Sequence, residues 1–312
     1  MANRMTTASG LYPIRTVAEI TGINPVTLRA WERRYGLIKP QRTPKGHRLY
    51  SKEHIAQLKR ILELVDQGIS IGQVKQILES EAAAPPAAPL PAAVTEDPWE
   101  NYRQGMLQAI MRFDEAGLDT TYNDGLSLYP VDLVTRFLIL PLLQELGDRR
   151  RDPPAGEAEA HFFQTYLRNK LGARFHHQST QTRGPRLMAA CLPGESSEAE
   201  LLLFSLSAMT RGYRMVLLGA NMALDPLPLA LERSGGLALL LFASIEPPTA
   251  LIRTHLPALA KQVAQPIFIG GQMAVIHCDP LKEAGLVPLV SDVQGALRQI
   301  DDSLSVRAHC AD

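Results

Sequence analysis

Residues 15–50 constrain this chain more tightly than any other stretch. They read RTVAEITGINPVTLRAWERRYGLIKPQRTPKGHRLY, and their punctuation spells a helix, a tight turn, a second helix and a basic hairpin. Thr16 can cap the first helix and Gly22 can end it. Asn24 is a good N-cap, and Pro25 suits the first helical turn, where its missing N–H costs nothing. The second helix is expected to run to about Tyr35, with Gly36 stopping it. On it Leu28, Trp31 and Tyr35 are spaced to face a core, whereas Arg29 and Arg33, four apart, share another face. Thr27 and Arg34 flank that basic face. The segment that follows is expected to form a wing carrying Arg42, Lys45, His47 and Arg48, side chains suited to phosphate contacts. Ser51 can cap a third helix with an apolar stripe of Ile55, Leu58, Ile61, Leu62 and Val65, and Ser70 begins a fourth, IGQVKQILES.

The chain has 312 residues and no formal net charge. The balance conceals a split. Residues 1–80 hold 13 Lys/Arg against 6 Asp/Glu, so the remainder is acidic. One basic end on an acidic body points to a single polyanion-binding region. A helix-turn-helix places its second helix in the DNA major groove.

Three Cys residues (Cys191, Cys278 and Cys310) are scattered and odd in number. They suggest neither a disulfide framework nor a zinc site and fit a reducing compartment. No signal peptide is recognisable, and the richest apolar run, LALLLFAS at 237–244, is too short to span a bilayer. A cytoplasmic protein with no membrane partner is expected.

Residues 81–98, EAAAPPAAPLPAAVTEDP, read as a semi-extended Ala/Pro-rich linker. Residues 99–180 then show helical periodicity in WENYRQGMLQAIMRF, VDLVTRFLILPLLQEL and AHFFQTYLRNKLGARF, which implies a four-helix-type bundle interrupted by RRRDPPAGE. From 185 to 305 short apolar runs at 186–192, 213–219, 237–244, 266–271 and 286–290 alternate with helical segments. Five such units predict an α/β flavodoxin-like parallel sheet covered on both faces. The expected protein is multidomain: an α winged helix-turn-helix at 1–80, the linker, the bundle and the sheet.

Residues 11–78, and above all INPVTLRAWERRYGL and RTPKGHRLYS, resemble the winged helix-turn-helix of MerR-type transcription regulators. The LRAWERRYGL form is similar to the branch that includes MlrA, CarA and CarH. The resemblance implies that the helix from Thr27 to Arg33 enters the major groove and that Arg42, Arg48 and Tyr50 grip the backbone. The expected DNA-contacting set is Thr16, Thr27, Arg29, Arg33, Arg34, Arg42, Lys45, His47, Arg48 and Tyr50. The metal-sensing members continue into a long dimerising coiled coil. Here a short fourth helix and a Pro-rich linker follow, so a homodimer or higher oligomer must form elsewhere or on DNA.

The second half resembles the cobalamin-binding module of the same branch, on LYPVDLVTRFLILPLLQELGDR, the LLG at 217–219 and the Gly270-Gly271 pair. It departs from that module at the positions that hold the cofactor. The loop after the first strand supplies a cobalt-ligating His in the cobalamin binders; here it reads LPGESSEAE, with Ser197 at the matching position. A hydroxyl is a poor substitute for imidazole. The Trp that follows GDR in the light sensors is matched by Arg150, after Arg149. Ala160 stands where those sensors carry the Glu before a His, here His161. The resemblance therefore implies a persistent scaffold with no cobalamin. Glu195, Ser196, Ser197, Ser244, Glu246, Gly270, Gly271 and Gln272 are the candidates to line a crevice at the strand ends.

The expected function is sequence-specific transcription regulation on promoter DNA together with RNA polymerase, by activation as in MlrA, with no enzymatic activity. The alternative is a cobalamin- or other ligand-sensing repressor of the CarA/CarH type. A methyl-carrying cobalamin enzyme with an accessory DNA domain fits less well, since no nucleophile–base pair or carboxylate dyad stands out. A third possibility makes the second half a docking platform for a signalling protein.

Overall fold

A computed structural model describes residues 10–83, 97–149, 155–180 and 182–309. Most of the expected linker (84–96) and the stretch that includes Arg150 (150–154) lie outside the described residues. The chain divides into two compact units, residues 1–160 and 161–312.

The first unit opens with β1 (Tyr12–Pro13), α1 (Ile14–Thr21) and α2 (Pro25–Ala30). Helix α2 continues without a break as a π-helical turn over Trp31–Tyr35. Strands β2 (Gln41–Arg42) and β3 (Arg48–Tyr50) form the wing, in a three-stranded antiparallel sheet of order β1-β3-β2. Helix α3 (Lys52–Asp66) starts at a capping box in which Ser51 and His54 each accept the other's backbone N–H. Its buried stripe is Ile55, Leu58, Ile61, Leu64 and Val65. Leu62, expected in that stripe, is only half-buried, because Leu64 lies closer to the inward face. Helix α4 spans Ile71–Ala83, three residues longer than expected.

Helices α5 (Pro98–Met111) and α6 (Glu115–Leu128) follow, capped by the carboxylates of Asp97 and Asp114. Then α7 (Val131–Val134), a π-helical turn (Thr135–Ile139) and α8 (Leu140–Arg149) run as one rod. Trp99 anchors this group, with its ring 4.5 Å from that of Tyr129 and 5.5 Å from that of Phe137. Helix α9 (Ala155–Ser179) crosses the division, so the helices of residues 99–180 fall on both sides of it.

The second unit holds β4 (Arg186–Cys191), β5 (Arg214–Gly219), β6 (Ala238–Phe242), β7 (Ile267–Gly270) and β8 (Val287–Pro288). All pairings are parallel and the order is β5-β4-β6-β7-β8. That is the flavodoxin-like arrangement, with its switch point where β5 and β6 flank β4. Helices α10 (Ala199–Thr210), α11 (Leu227–Ser234), α12 (Leu256–Gln262), α13 (Gln272–Ile276), α14 (Cys278–Glu283) and α15 (Val293–His309) complete the unit. Every residue of β6 is buried, as a central strand covered on both faces requires. Leu239, Leu241, Ile267 and Ile269 pack with Leu227, Leu251, Leu256 and Leu281 of the covering helices. No helix among the described residues is long and apolar enough to cross a membrane.

Candidate nucleic-acid interface

Helix α2 is built as its sequence dictates. The Asn24 side chain accepts the Val26 N–H at 2.8 Å, Pro25 occupies the first turn, and Gly36 ends the π-helical turn at φ 62°. Helix α1 ends at Gly22, φ 74°, where a side chain would be strained. It begins at Ile14, with Pro13 as its cap residue. Thr16 is thus no cap; it lies inside α1 and is buried.

The surface of α2 is divided three ways. Leu28 is buried, as are Trp31 and Ala30. A second sector meets the α6 end of the helical group. There the Trp31 indole N–H donates to the Leu128 carbonyl at 2.7 Å, and the Thr27 hydroxyl donates to the Leu126 carbonyl at 3.4 Å. Arg34 faces Asp124 at 3.6 Å. The third sector carries Val26, Arg29 and Arg33, all exposed.

This division sorts the expected DNA contacts. Arg29 and Arg33 are exposed together, and the Arg33 Nε–H donates to the Arg29 carbonyl at 3.4 Å. Arg42, Lys45 and His47 are exposed on the wing, whose turn is closed by Thr43 N–H donating to the His47 carbonyl at 2.9 Å. Thr27 is fully buried against α6, whereas Arg34 stays exposed beside Asp124. Tyr50 is also buried, at 1% exposure, with its ring edge-on to His54. Its hydroxyl finds no hydrogen-bond partner among the described residues, and burial, then the nearby Glu32 charge, pushes it up to about 12.

Sequence reasoning missed Glu32. Its carboxylate binds Arg42 at 2.7 Å through one oxygen and Arg48 through the other. Burial alone would raise this carboxyl; the hydrogen bonds from Arg48 and Arg42 outweigh it and hold it below the ordinary carboxylate value. Glu32 therefore clamps the wing to the π-helical continuation of α2 and fixes where both arginines point. The available signal was a lone acid between Trp31 and Arg33 in an otherwise basic segment.

Glu195, Ser197 and Ser244 come together where the loops after β4 and β6 meet, at the switch point. Glu195 is 2% exposed; one carboxylate oxygen accepts the Ser197 N–H at 2.8 Å and the other the N–H groups of Ser244 and Ile245 at 2.7 and 3.2 Å. Glu200 lies nearby, its carboxyl raised by burial. Ser196, Glu246 and Gln272 are exposed, and Glu246 pairs with His277 at 2.8 Å. The Gly270–Gly271 pair answers to packing. A Cβ on Gly270 would sit 2.5 Å from the Phe242 ring, and one on Gly271 2.4 Å from the Ala243 carbonyl oxygen. A cavity of about 700 Å³ opens beside the crevice between Gly194, Asn221, Asp225, Leu251, His255 and Gln262, and none of the expected lining residues is on its wall. Cys191 is buried beneath, which pushes its thiol up to about 12. In the first unit Arg149 contacts the buried Glu159 at 3.0 Å, an ionic contact without an aligned hydrogen bond. Ala160 is buried and His161 exposed.

Residues 12–81 match the model of the MerR HTH family regulatory proteins. The chain is 29% identical over 223 residues to the HTH-type transcriptional repressor CarH of Myxococcus xanthus, covering 70% of this chain and 74% of that protein. It is 35% identical over 136 residues to the HTH-type transcriptional regulator MlrA of Escherichia coli, covering 44% of this chain and 52% of that one. The fold is shared over 66% of this chain with the monomethylamine corrinoid protein of Methanosarcina barkeri, at 13% identity and a TM-score of 0.51, covering 99% of that one. Residues 12–81 are thus a MerR-type helix-turn-helix domain in a chain similar to the transcription regulators CarH and MlrA, whose helical and parallel-sheet part shares its fold with that solved structure.

Proposed function

We propose that this regulator activates transcription in the manner of an MlrA-like protein, as a homodimer or higher oligomer that binds a promoter dyad and engages RNA polymerase, with no enzymatic activity of its own. The observation that carries the DNA-binding part is the exposed basic sector of α2, Arg29 and Arg33, beside a wing whose Arg42 and Arg48 are clamped in place by Glu32. Arginines held in fixed orientation can address guanine edges and phosphates at defined positions. Selection of duplexes from a random library by the full chain tests this: wild type enriches a motif, and Arg33→Ala loses affinity for it by about 1–3 kcal/mol if Arg33 meets a base. Equal affinity of the variant for that motif would count against the placement.

The second half acts in this reading without cobalamin. The residues present do not fit that cofactor. Ser197 offers a hydroxyl whose oxygen accepts the Ala199 N–H at 3.4 Å, and its carbonyl accepts the Cys191 thiol at 3.4 Å. The amides at the switch point, where open sheets receive ligands, are taken by the chain's own Glu195. An Arg149–Glu159 pair also puts charge into the helical group. The visible absorbance of the full chain purified after growth with hydroxocobalamin tests the point: a colourless protein is expected, and a corrinoid spectrum would overturn it.

A further inference from the structure

We propose that Val26 determines sequence specificity by contacting the C5-methyl group of a thymine in the major groove. The inference rests on the reading that α2 enters DNA, and it names one base that this entry selects. Val26 sits in the first turn of α2 and is 53% exposed. Its neighbours on the helix are spoken for: Leu28 is in the core, while Thr27 and Trp31 bond to the carbonyls of Leu126 and Leu128. The sector left open holds Val26, Arg29 and Arg33. Val26 contributes only its backbone N–H to the cap, where any residue but proline would serve. A β-branched apolar side chain is therefore presented to solvent beside two arginines, on a surface whose charge selects a polyanion.

The major-groove floor presents hydrogen-bonding atoms and one apolar group, the thymine methyl. The N-terminal residues of a recognition helix are those that reach base edges. A branched aliphatic group there gains by burying that methyl and forms no hydrogen bond to a cytosine amine or a guanine oxygen. Arg29 and Arg33, one and two turns further along the helix, would hold neighbouring guanines or phosphates and fix the register in which Val26 meets its base.

The test uses the full chain and a duplex it selects from a random library. Each thymine of the selected motif is replaced in turn by deoxyuridine, which removes only the methyl group. One position per half-site is expected to weaken wild-type binding roughly three- to fivefold, the worth of burying one such group. Val26→Ala is expected to bind the thymine duplex as weakly as wild type binds the uracil duplex, and to be indifferent to uracil at that position. Alanine is the better helix former, so the helix survives, and an unchanged melting temperature verifies it. Val26→Ser should behave as the alanine variant does. If uracil weakens wild type and both variants equally, or weakens none, Val26 does not read a thymine although the DNA-binding reading stands. If no duplex is enriched at all, the failure lies in that reading.

Discussion

Replacing Glu32 by Gln should loosen the wing. The Glu32 side chain is only 14% exposed and serves Arg48, 19% exposed, and Arg42, 52% exposed. Gln keeps one acceptor oxygen but turns an amide N–H toward the other guanidinium, donor against donor. The Arg48 limb is a charged, mostly buried hydrogen bond worth about 1.5–3 kcal/mol, and the exposed Arg42 limb adds about 0.5 kcal/mol. With the amide turned toward Arg48 and its oxygen kept on Arg42, wing opening should become easier by about 1.5–3 kcal/mol, which corresponds to roughly 10- to 150-fold faster local exchange. The amides of Thr43 and Gly46, which close the wing turn onto the carbonyls of His47 and Thr43, are the reporters. Amide hydrogen exchange followed by mass spectrometry on peptides from residues 41–50 gives the readout. The pH dependence provides a second arm. Because the folded Glu32 carboxyl titrates below the free value of 4.5, its stabilisation is complete above that value and is lost as pH falls through the folded one. Wild-type wing protection should therefore drop in acid, after correction for intrinsic exchange, while Glu32→Gln stays level. Wild-type protection in the variant at neutral pH, or the same acid loss in both proteins, would refute the clamp.

Three further outcomes follow from the same geometry. Thr27→Val preserves shape and removes a 3.4 Å hydrogen bond to Leu126, so it should cost less than about 1.5 kcal/mol of stability and leave affinity for the selected duplex unchanged; a tenfold affinity loss would put Thr27 back at the DNA. Gly271→Ala combines φ 84° with a Cβ 2.4 Å from the Ala243 carbonyl oxygen, and should destabilise the second unit by about 2–4 kcal/mol in urea titration. Glu195→Gln turns a carboxylate that takes three backbone N–H groups into an amide, and should cost about 2–3 kcal/mol by the same measurement.

The elements of this fold were legible wherever local chemistry decides them. Asn24, Pro25, Gly36 and Ser51 mark helix ends through their own backbone preferences, and the continuous apolar runs at 186–192 and 237–244 announce parallel strands. What periodicity could not supply was partnership at long range. Thr27 sits on the right helix at the right spacing, yet its hydroxyl goes to a carbonyl 99 residues away. Glu32 looked like an isolated acid until the wing folded back onto it with Arg42 and Arg48, 10 and 16 residues on. The Gly270–Gly271 pair suggested a ligand approach, because a sequence cannot reveal that Phe242 and Ala243 of a neighbouring strand and its following loop fill the space. Glu195 was chosen as a crevice residue for its position, and its carboxylate is buried there on the N–H groups of Ser197, Ser244 and Ile245.

The salt dependence of full-chain binding to its selected duplex tests the central claim most directly. The account predicts that log affinity falls linearly with log salt, and that Lys45→Ala weakens binding to every sequence alike while reducing the slope by about 1. A slope near zero, or one untouched by removal of the wing charge, would contradict the assignment of residues 12–81 as the DNA-gripping surface.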